Sequence, residues 1–269
     1  MLFRAVMKLL DAMPWLKRFL WQRMYRRMAG RHTEKDWTFM NYGYVSLNPN
    51  DPPLILPPAD VGNQYQAQLY HYVAGRVALE GRDVLEVGSG RGGGAAFVHQ
   101  HFKPRQMTAV DLTDEAVRLC SNIHRRDGLT FKQGDAEALP FADASFDAVL
   151  NVESSHCYRS VPEFLRQVKR VLRPGGYFLF ADLRRAAHRD RLHQQMLECG
   201  MNIVEQEDIT ANVFESLRLD SERKTAAIAK YVDGFRASSF REFAAVEGTT
   251  MYEAFQSRAY VYCRYVLQK

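Results

Sequence analysis

Asp83-Val84-Leu85-Glu86-Val87-Gly88-Ser89-Gly90-Arg91-Gly92-Gly93-Gly94 is the stretch on which the fold turns. A short apolar strand runs into an acidic residue, and glycines follow at alternate positions. Without a Cβ, glycine turns sharply and lets a ligand approach the backbone. Residues 95–99 read as helical, so the loop is expected to present N–H groups at a helix N-terminus. Dinucleotide sites set Gly-x-Gly-x-x-Gly against a pyrophosphate. Here a carboxylate, Glu86, stands just ahead of Gly88, Gly90 and Gly92; it would repel a pyrophosphate and attract an ammonium group. The pattern favours a ligand with an amino-acid moiety. An ordinary strand–helix turn with no ligand is the alternative.

The chain around this loop has 269 residues, 46% hydrophobic and 25% charged, enough apolar content for one large domain or a core with an added cap. No apolar run reaches the ~18 residues of a spanning helix. Arg4, Lys8 and Asp11 interrupt the N-terminus, unlike a signal peptide. Cys120, Cys157, Cys199 and Cys263 are scattered without metal-type pairing and read as reduced thiols of a cytoplasmic protein. The net charge of +5 is uneven, with nine Lys and Arg in the first 35 residues against Asp11 and Glu34. Apolar residues at spacings of three and four make residues 1–30 a basic amphipathic pattern, read as two helices meeting at Pro14. Two readings stay open: peripheral contact with an anionic membrane, or a helical lid with a solvated basic face. No recognition motif accompanies the charge, which argues against nucleic acid.

Before the loop, residues 32–65 are rich in turn formers, yet Trp37, Phe39, Tyr42 and Tyr44 argue against disorder. A helical pattern over 64–78 comes next. After the loop, strands are expected at 107–112, 129–134, 146–152 and 177–183. Helices are expected at 114–124, 136–139 and 161–172. This alternation implies a parallel sheet covered on both faces. Arg173-Pro174-Gly175-Gly176 reads as a turn before the fifth strand. Strands at 202–208 and 260–267 enclose helical stretches at about 211–234 and 239–257.

The chemistry gathers at strand ends. Asp111 closes the second strand, where an acidic side chain can accept both hydroxyls of a ribose. Helix capping there belongs more naturally to Thr113 or Asp114. Gly134-Asp135-Ala136 ends the third strand; Asp135 can accept from an adenine amino group, or simply cap the short helix expected after it. Ligands of open α/β sheets bind at these carboxyl ends.

Glu86–Gly92, Asp111, Gly134-Asp135-Ala136, Phe141-x-x-x-Ser145-Phe146-Asp147 and Leu172-Arg173-Pro174-Gly175-Gly176 together resemble the motifs of class I S-adenosylmethionine (SAM)-dependent methyltransferases, in order. Asn151-Val152-Glu153-Ser154-Ser155-His156-Cys157-Tyr158, Ala181-Asp182-Leu183-Arg184 and Asn41-x-x-Tyr44 resemble the mycobacterial phthiotriolone- and glycopeptidolipid-type lipid O-methyltransferases, over most of 38–265. The resemblance implies a Rossmann-like, seven-stranded, mostly parallel sheet with an antiparallel last strand. It also implies a lid at 1–65, a methyltransferase domain at 66–269 and a substrate cap at about 211–257. It assigns SAM contacts to Glu86, Gly88, Ser89, Gly90, Gly92, Asp111, Leu112, Gly134, Asp135, Ala136 and Asn151. Tyr42, Tyr44 and Gln64 would close over the methionyl end, or only pack an ordered loop.

The implied reaction moves a methyl group from a sulfonium to a hydroxyl of a lipid, polyketide or similar hydrophobic metabolite. A protonated alcohol is a poor nucleophile, so a base would help. His156 is the candidate, since an ordinary imidazole titrates near neutrality, with Glu153 three residues before it to orient the ring. A histidine satisfied by core hydrogen bonds is the competing account. A divalent metal shared by Glu153 and His156 lacks a third ligand. Asp182 and Arg184 either touch substrate or fix a loop; His188 and His193 read as solvated. A cyclase that binds SAM without methyl transfer, and a carbon or nitrogen acceptor, are the alternatives.

Overall fold

The computed structural model describes Arg23 and residues 37–52, 54–56, 61–232 and 234–269, with the side chains of 235 and 236 outside that description. The basic amphipathic segment at 1–30 therefore lies outside the described residues. Helix α1 (Gln64–Ala74) leads to β1 (Asp83–Val87), the strand that feeds the glycine loop. Beyond it run α2 (Gly93–Phe102), β2 (Gln106–Asp111), α3 (Asp114–Ile123), β3 (Leu129–Gln133), β4 (Phe146–Val152), α4 (Val161–Val171), β5 (Leu172–Arg185), α5 (Arg189–Glu198) and β6 (Asn202–Asp208). Then α6 (Thr210–Tyr231), α7 (Gly234–Phe243) and α8 (Thr250–Gln256) precede β7 (Tyr260–Gln268).

The seven strands form one sheet in the order β3-β2-β1-β4-β5-β7-β6. β1 pairs in parallel with β2 on one side and β4 on the other, so the strand order reverses between β1 and β4. Crevices at such reversal points are where α/β sheets take ligands. β7 is antiparallel to both β5 and β6, as expected of the last strand. Apolar clusters pack both faces: Leu69, Val73, Val84 and Val98 belong to one, Leu85, Val149, Phe164 and Phe178 to the other.

Three local expectations change. Residues 136–139 form a tight turn, not a helix: Asp135 bridges Ala138, and the Asp135 carboxylate accepts from Glu137 N at 2.9 Å. Pro140 leaves no room for a further helical turn there. Arg173–Gly176 does not end a helix before a separate strand but bulges from within β5. Phe146 pairs with Leu172 and then Ala148 with Tyr177, while Lys269 bonds both Gly175 and Gly176 through its backbone. The stretch 239–257 breaks in two, because Ala245 and Gly248 adopt left-handed φ of 50° and 81°. Thr249 then caps α8 by accepting from Tyr252 N, and Glu242 accepts from Thr250 and Met251 N.

Residues 37–45 have no regular structure and are well anchored. They cross the carboxyl ends of β1 and β4 as a strap. Thr38 O accepts from Gly93 N, Trp37 O accepts from the Arg91 guanidinium, and that guanidinium also stacks over the Trp37 ring. Phe39, Tyr42 and Tyr44 are buried, with Tyr44 stacked on Tyr72.

Gly94, inside α2, shows how closely α1 packs on the loop. A Cβ there would sit 1.9 Å from the Tyr70 ring. Replacing a helical glycine by alanine ordinarily stabilises by about 1 kcal/mol. Gly94→Ala is expected instead to destabilise by ~1–3 kcal/mol, because the overpacked core must shift, a change readable as a lowered midpoint in urea unfolding.

Candidate active site

A cavity of about 870 Å³ opens at the carboxyl ends of β1, β2, β3, β4 and β5. One part of its wall is the glycine loop. Gly88, Ser89 and Gly90 line it, with Asp111, Leu112, Gly134, Asp135 and Ala136 beside them and Tyr42 of the strap above. Gly88 is required by space as well as by its φ of 84°: a Cβ would fall 1.9 Å from Ser154 Oγ.

The loop's amides face inward, contrary to the expectation of free N–H groups. Gly88 and Ser89 donate to Val110 O, Gly92 donates to Ser89 O, and Gly93 donates to the strap. Gly90 N donates to Asp111 Oδ2 at 3.0 Å, and Thr113 donates to Asp111 Oδ1 through both its amide and its hydroxyl. Asp111 thus holds the loop and the start of α3 while lining the cavity.

Five expected contacts are not brought to the cavity wall, Tyr44 among them, stacked on Tyr72 instead. Glu86 points behind the loop, fully buried, and accepts from Tyr70 Oη at 2.6 Å. Gly92 faces His124 and Phe131, where a Cβ would collide. Asn151 is buried behind the wall, donating to Val87 O and to Tyr158 Oη. Gln64 begins α1 away from the cavity.

The other part of the wall centres on His156. β4 and β5 run side by side, with Val152 opposite Ala181. The residue after Ala181, Asp182, therefore sits beneath the short 3-10 turn Ser155–Cys157. His156 Nδ1 lies 2.8 Å from Asp182 Oδ1, and His156 N and Ser155 Oγ donate to Oδ2. Glu153 does not orient the imidazole. It takes a left-handed φ of 51° and accepts from Tyr42 N at 2.8 Å and Tyr262 Oη at 3.1 Å, tying the strap and β7 to the end of β4. Asp182 holds the ring instead. Arg184, packed against Asp182 at 2.9 Å, also donates to Ser155 Oγ.

Comparison with known proteins fits this layout. A methyltransferase-domain family model matches residues 85–180. The phthiotriol/phenolphthiotriol dimycocerosates methyltransferase of Mycobacterium tuberculosis is 38% identical over 234 residues, covering 86% of this chain and 85% of that protein. A fatty-acid O-methyltransferase of Mycolicibacterium smegmatis is 39% identical over 222 residues, covering 82% and 78%. The chain belongs to the SAM-dependent methyltransferases. Among solved structures, the cyclase SpnF superposes with a TM-score of 0.71 at 21% identity, covering 92% of this chain and 94% of that one. Geranyl diphosphate methyltransferase, solved with GPP and sinefungin, gives 0.66 at 16% identity, covering 92% and 98%. At those identities the likeness is one of fold.

The methyltransferase's cavity suits its cofactor on its own chemistry. Ser89, on the wall, keeps a buried Oγ with no protein partner, an arrangement that costs stability unless a ligand supplies one. Asp111 and Asp135 add carboxylates at the neighbouring strand ends. Among the described residues, no group of three His, Cys, Asp or Glu side chains converges as a metal site.

Burial governs the titratable groups. It pushes the Glu86 and Glu153 carboxyls up to about 8, against the hydrogen bonds each accepts. For His156, burial pulls the imidazole down, but the Cys157 side chain and the Asp182 carboxylate outweigh it and hold the ring above its ordinary value. Asp182 is held well below the carboxylate range because His156 and Arg184 overcome its desolvation. The expectation of an ordinary imidazole near neutrality is therefore corrected: its neighbours hold the ring above that value. In the sequence Asp182 stands between substrate contact and loop support; its signal is the acidic residue one position past the end of the β4-paired segment. His193, expected in solvent, stacks on Tyr265.

A raised carboxyl favours the fold while it is protonated, so Glu86 contributes stability below its unfolded value of 4.5 that is lost as pH rises through about 8. Unfolding free energy measured across that window should fall less steeply in Glu86→Gln than in the parent chain. Identical slopes would place the pH dependence elsewhere.

Proposed function

We propose that this enzyme transfers a methyl group from SAM to a hydroxyl of a lipid, polyketide or related hydrophobic metabolite, with His156 taking the hydroxyl proton. The observation that carries the reading is the His156–Asp182 pair on the wall of the cavity that also holds the glycine loop and Asp111. The names of the two mycobacterial relatives, a dimycocerosates methyltransferase and a fatty-acid O-methyltransferase, support a hydrophobic oxygen acceptor.

The bound cofactor supplies an already activated methyl on a sulfonium. What the chain adds is position, exclusion of water and a place for a proton. Nδ1 of His156 is committed to Asp182, so Nε2 is the nitrogen on which the acceptor's proton would land, and the Asp182 carboxylate stabilises the resulting cation. Glu153, tied to Tyr42 and Tyr262, positions the strap rather than touching the proton. The strap and the cap at 211–257 close the acceptor side: Tyr42, Phe243 and Met251 bring apolar surface to the wall. We assign the lid and cap roles to these segments on that basis. Among the described residues no helix is long and apolar enough to cross a membrane.

A base must be neutral to act. Because His156 is held above its ordinary value, kcat/KM is expected to rise with pH beyond neutrality. Asp182→Asn should move that limb to lower pH and reduce the plateau by on the order of a hundredfold. A flat profile, as an acceptor needing no base would give, counts against the role. Methyl-labelled SAM should yield an organic-soluble product whose label survives mild alkali, since an ether resists saponification and an ester does not. Label left entirely in the cofactor would point to a cyclase.

A further inference from the structure

The acceptor side of the cavity is not uniformly apolar. His188, Arg191, Leu192 and Gln195 line it from α5 and its leading turn. Their spacing of three and four places them on one face. Arg185, at the end of β5, lines the same region with its guanidinium over the Tyr260 ring. Neither His188 nor Arg191 has a hydrogen-bond or ion-pair partner among the described residues.

The carboxylates that share the cavity wall are already engaged. Glu137 accepts from Arg159 N and Ser160 N, Glu242 accepts from Thr250 N and Met251 N, and Glu153 is tied to Tyr42 and Tyr262. None of the carboxylates on that wall pairs with Arg191. Arg191 stands in the first turn of α5, where a cation opposes the helix dipole, with Asp190 beside it in the same turn. Leu183, Phe243 and Met251 add apolar surface to the same cavity.

The geometry points to an oxyanion subsite: Arg191 and His188, with Gln195 beside them, bind a carboxylate or phosphate carried by the acceptor away from its reacting oxygen. The acceptor is then amphipathic, an apolar body with one anionic end. This deepens the oxygen-methylation reading and rests on it only in taking this side of the cavity as the acceptor's. An Arg fork and an imidazole suit an oxyanion far better than a neutral hydroxyl. The source is either a free carboxylate or a phosphate ester.

Calorimetric titration of the enzyme with dodecanoate, dodecyl phosphate and dodecanol, in the presence of S-adenosylhomocysteine, tests the subsite without requiring turnover. Both anions should bind about tenfold or more tightly than the alcohol, the margin expected of a charge-assisted hydrogen bond. A tighter dodecanoate assigns the carboxylate source, and a tighter dodecyl phosphate the phosphate ester. Arg191→Gln should remove most of that margin and leave dodecanol unchanged. Arg189→Gln removes the same charge from the same helix, but at a residue off the cavity wall that lies 4.0 Å from Asp208; it should preserve the margin. Equal binding of all three ligands overturns the subsite, as does a margin kept in Arg191→Gln or lost equally in both variants. If the margin stands while no hydroxyl is methylated, the reaction assignment alone falls.

Discussion

A single buried carboxylate holds together the β4–β5 end of this methyltransferase's cavity. Asp182 is fully buried at the end of β5, where an unpaired charge would be untenable. It survives because five donors converge on it: Ser155 Oγ, His156 N, His156 Nδ1, Leu183 N and Arg184 Nη1. Three of these come from the turn after β4, so the charge fixes how β4 and β5 end relative to each other. It also decides the tautomer and angle of the imidazole. Losing a partner from such a buried network costs more than the pair contributes, since the remaining charge is stranded. The catalytic geometry and the local fold are thus enforced by the same atoms.

Glu153 performs a parallel task for the cover of the site. Its left-handed backbone is an unfavourable conformation for a non-glycine residue. The distortion turns its carboxyl toward Tyr42 N of the strap and Tyr262 of β7, two segments more than a hundred residues away along the chain. With Thr38 held by Gly93 and Trp37 by Arg91, the strap is clamped at both the β1 and the β4 end. Strain at one residue is offset by long-range bonds that no nearby sequence supplies.

That distance explains what the sequence made legible. The alternating strands, the glycine turn and the antiparallel last strand could be read because each is a local pattern of period, turn and strand end. Glu86 shows the opposite situation. Its acidity looked ligand-directed, yet Tyr70, sixteen positions earlier, comes over from α1 to meet it. The role of Asp182 required knowing that β5 lies beside β4, a fact of topology. The helix expected at 136–139 failed on a local ambiguity, since an aspartate ahead of a short run caps a turn as readily as a helix.

The two halves of the cavity are built on different principles, and this bears on where specificity resides. In the cofactor half, the Gly88, Ser89, Gly90, Gly92 and Gly93 amides are used within the protein, so the loop is preorganised and little is left to vary. Apart from the unpartnered Ser89 Oγ, such a preorganised wall suits a ligand that never changes. The acceptor half draws on the strap, the β4 turn, α5, α7 and α8, segments joined through side chains rather than a shared backbone ladder. There the donors of α5 remain uncommitted. Polar groups that a bound ligand would bury without pairing reject it far more strongly than apolar surface rejects one of the wrong length. On the proposed reading, selectivity for the acceptor would reside in these cavity-lining polar groups more than in the apolar area around them.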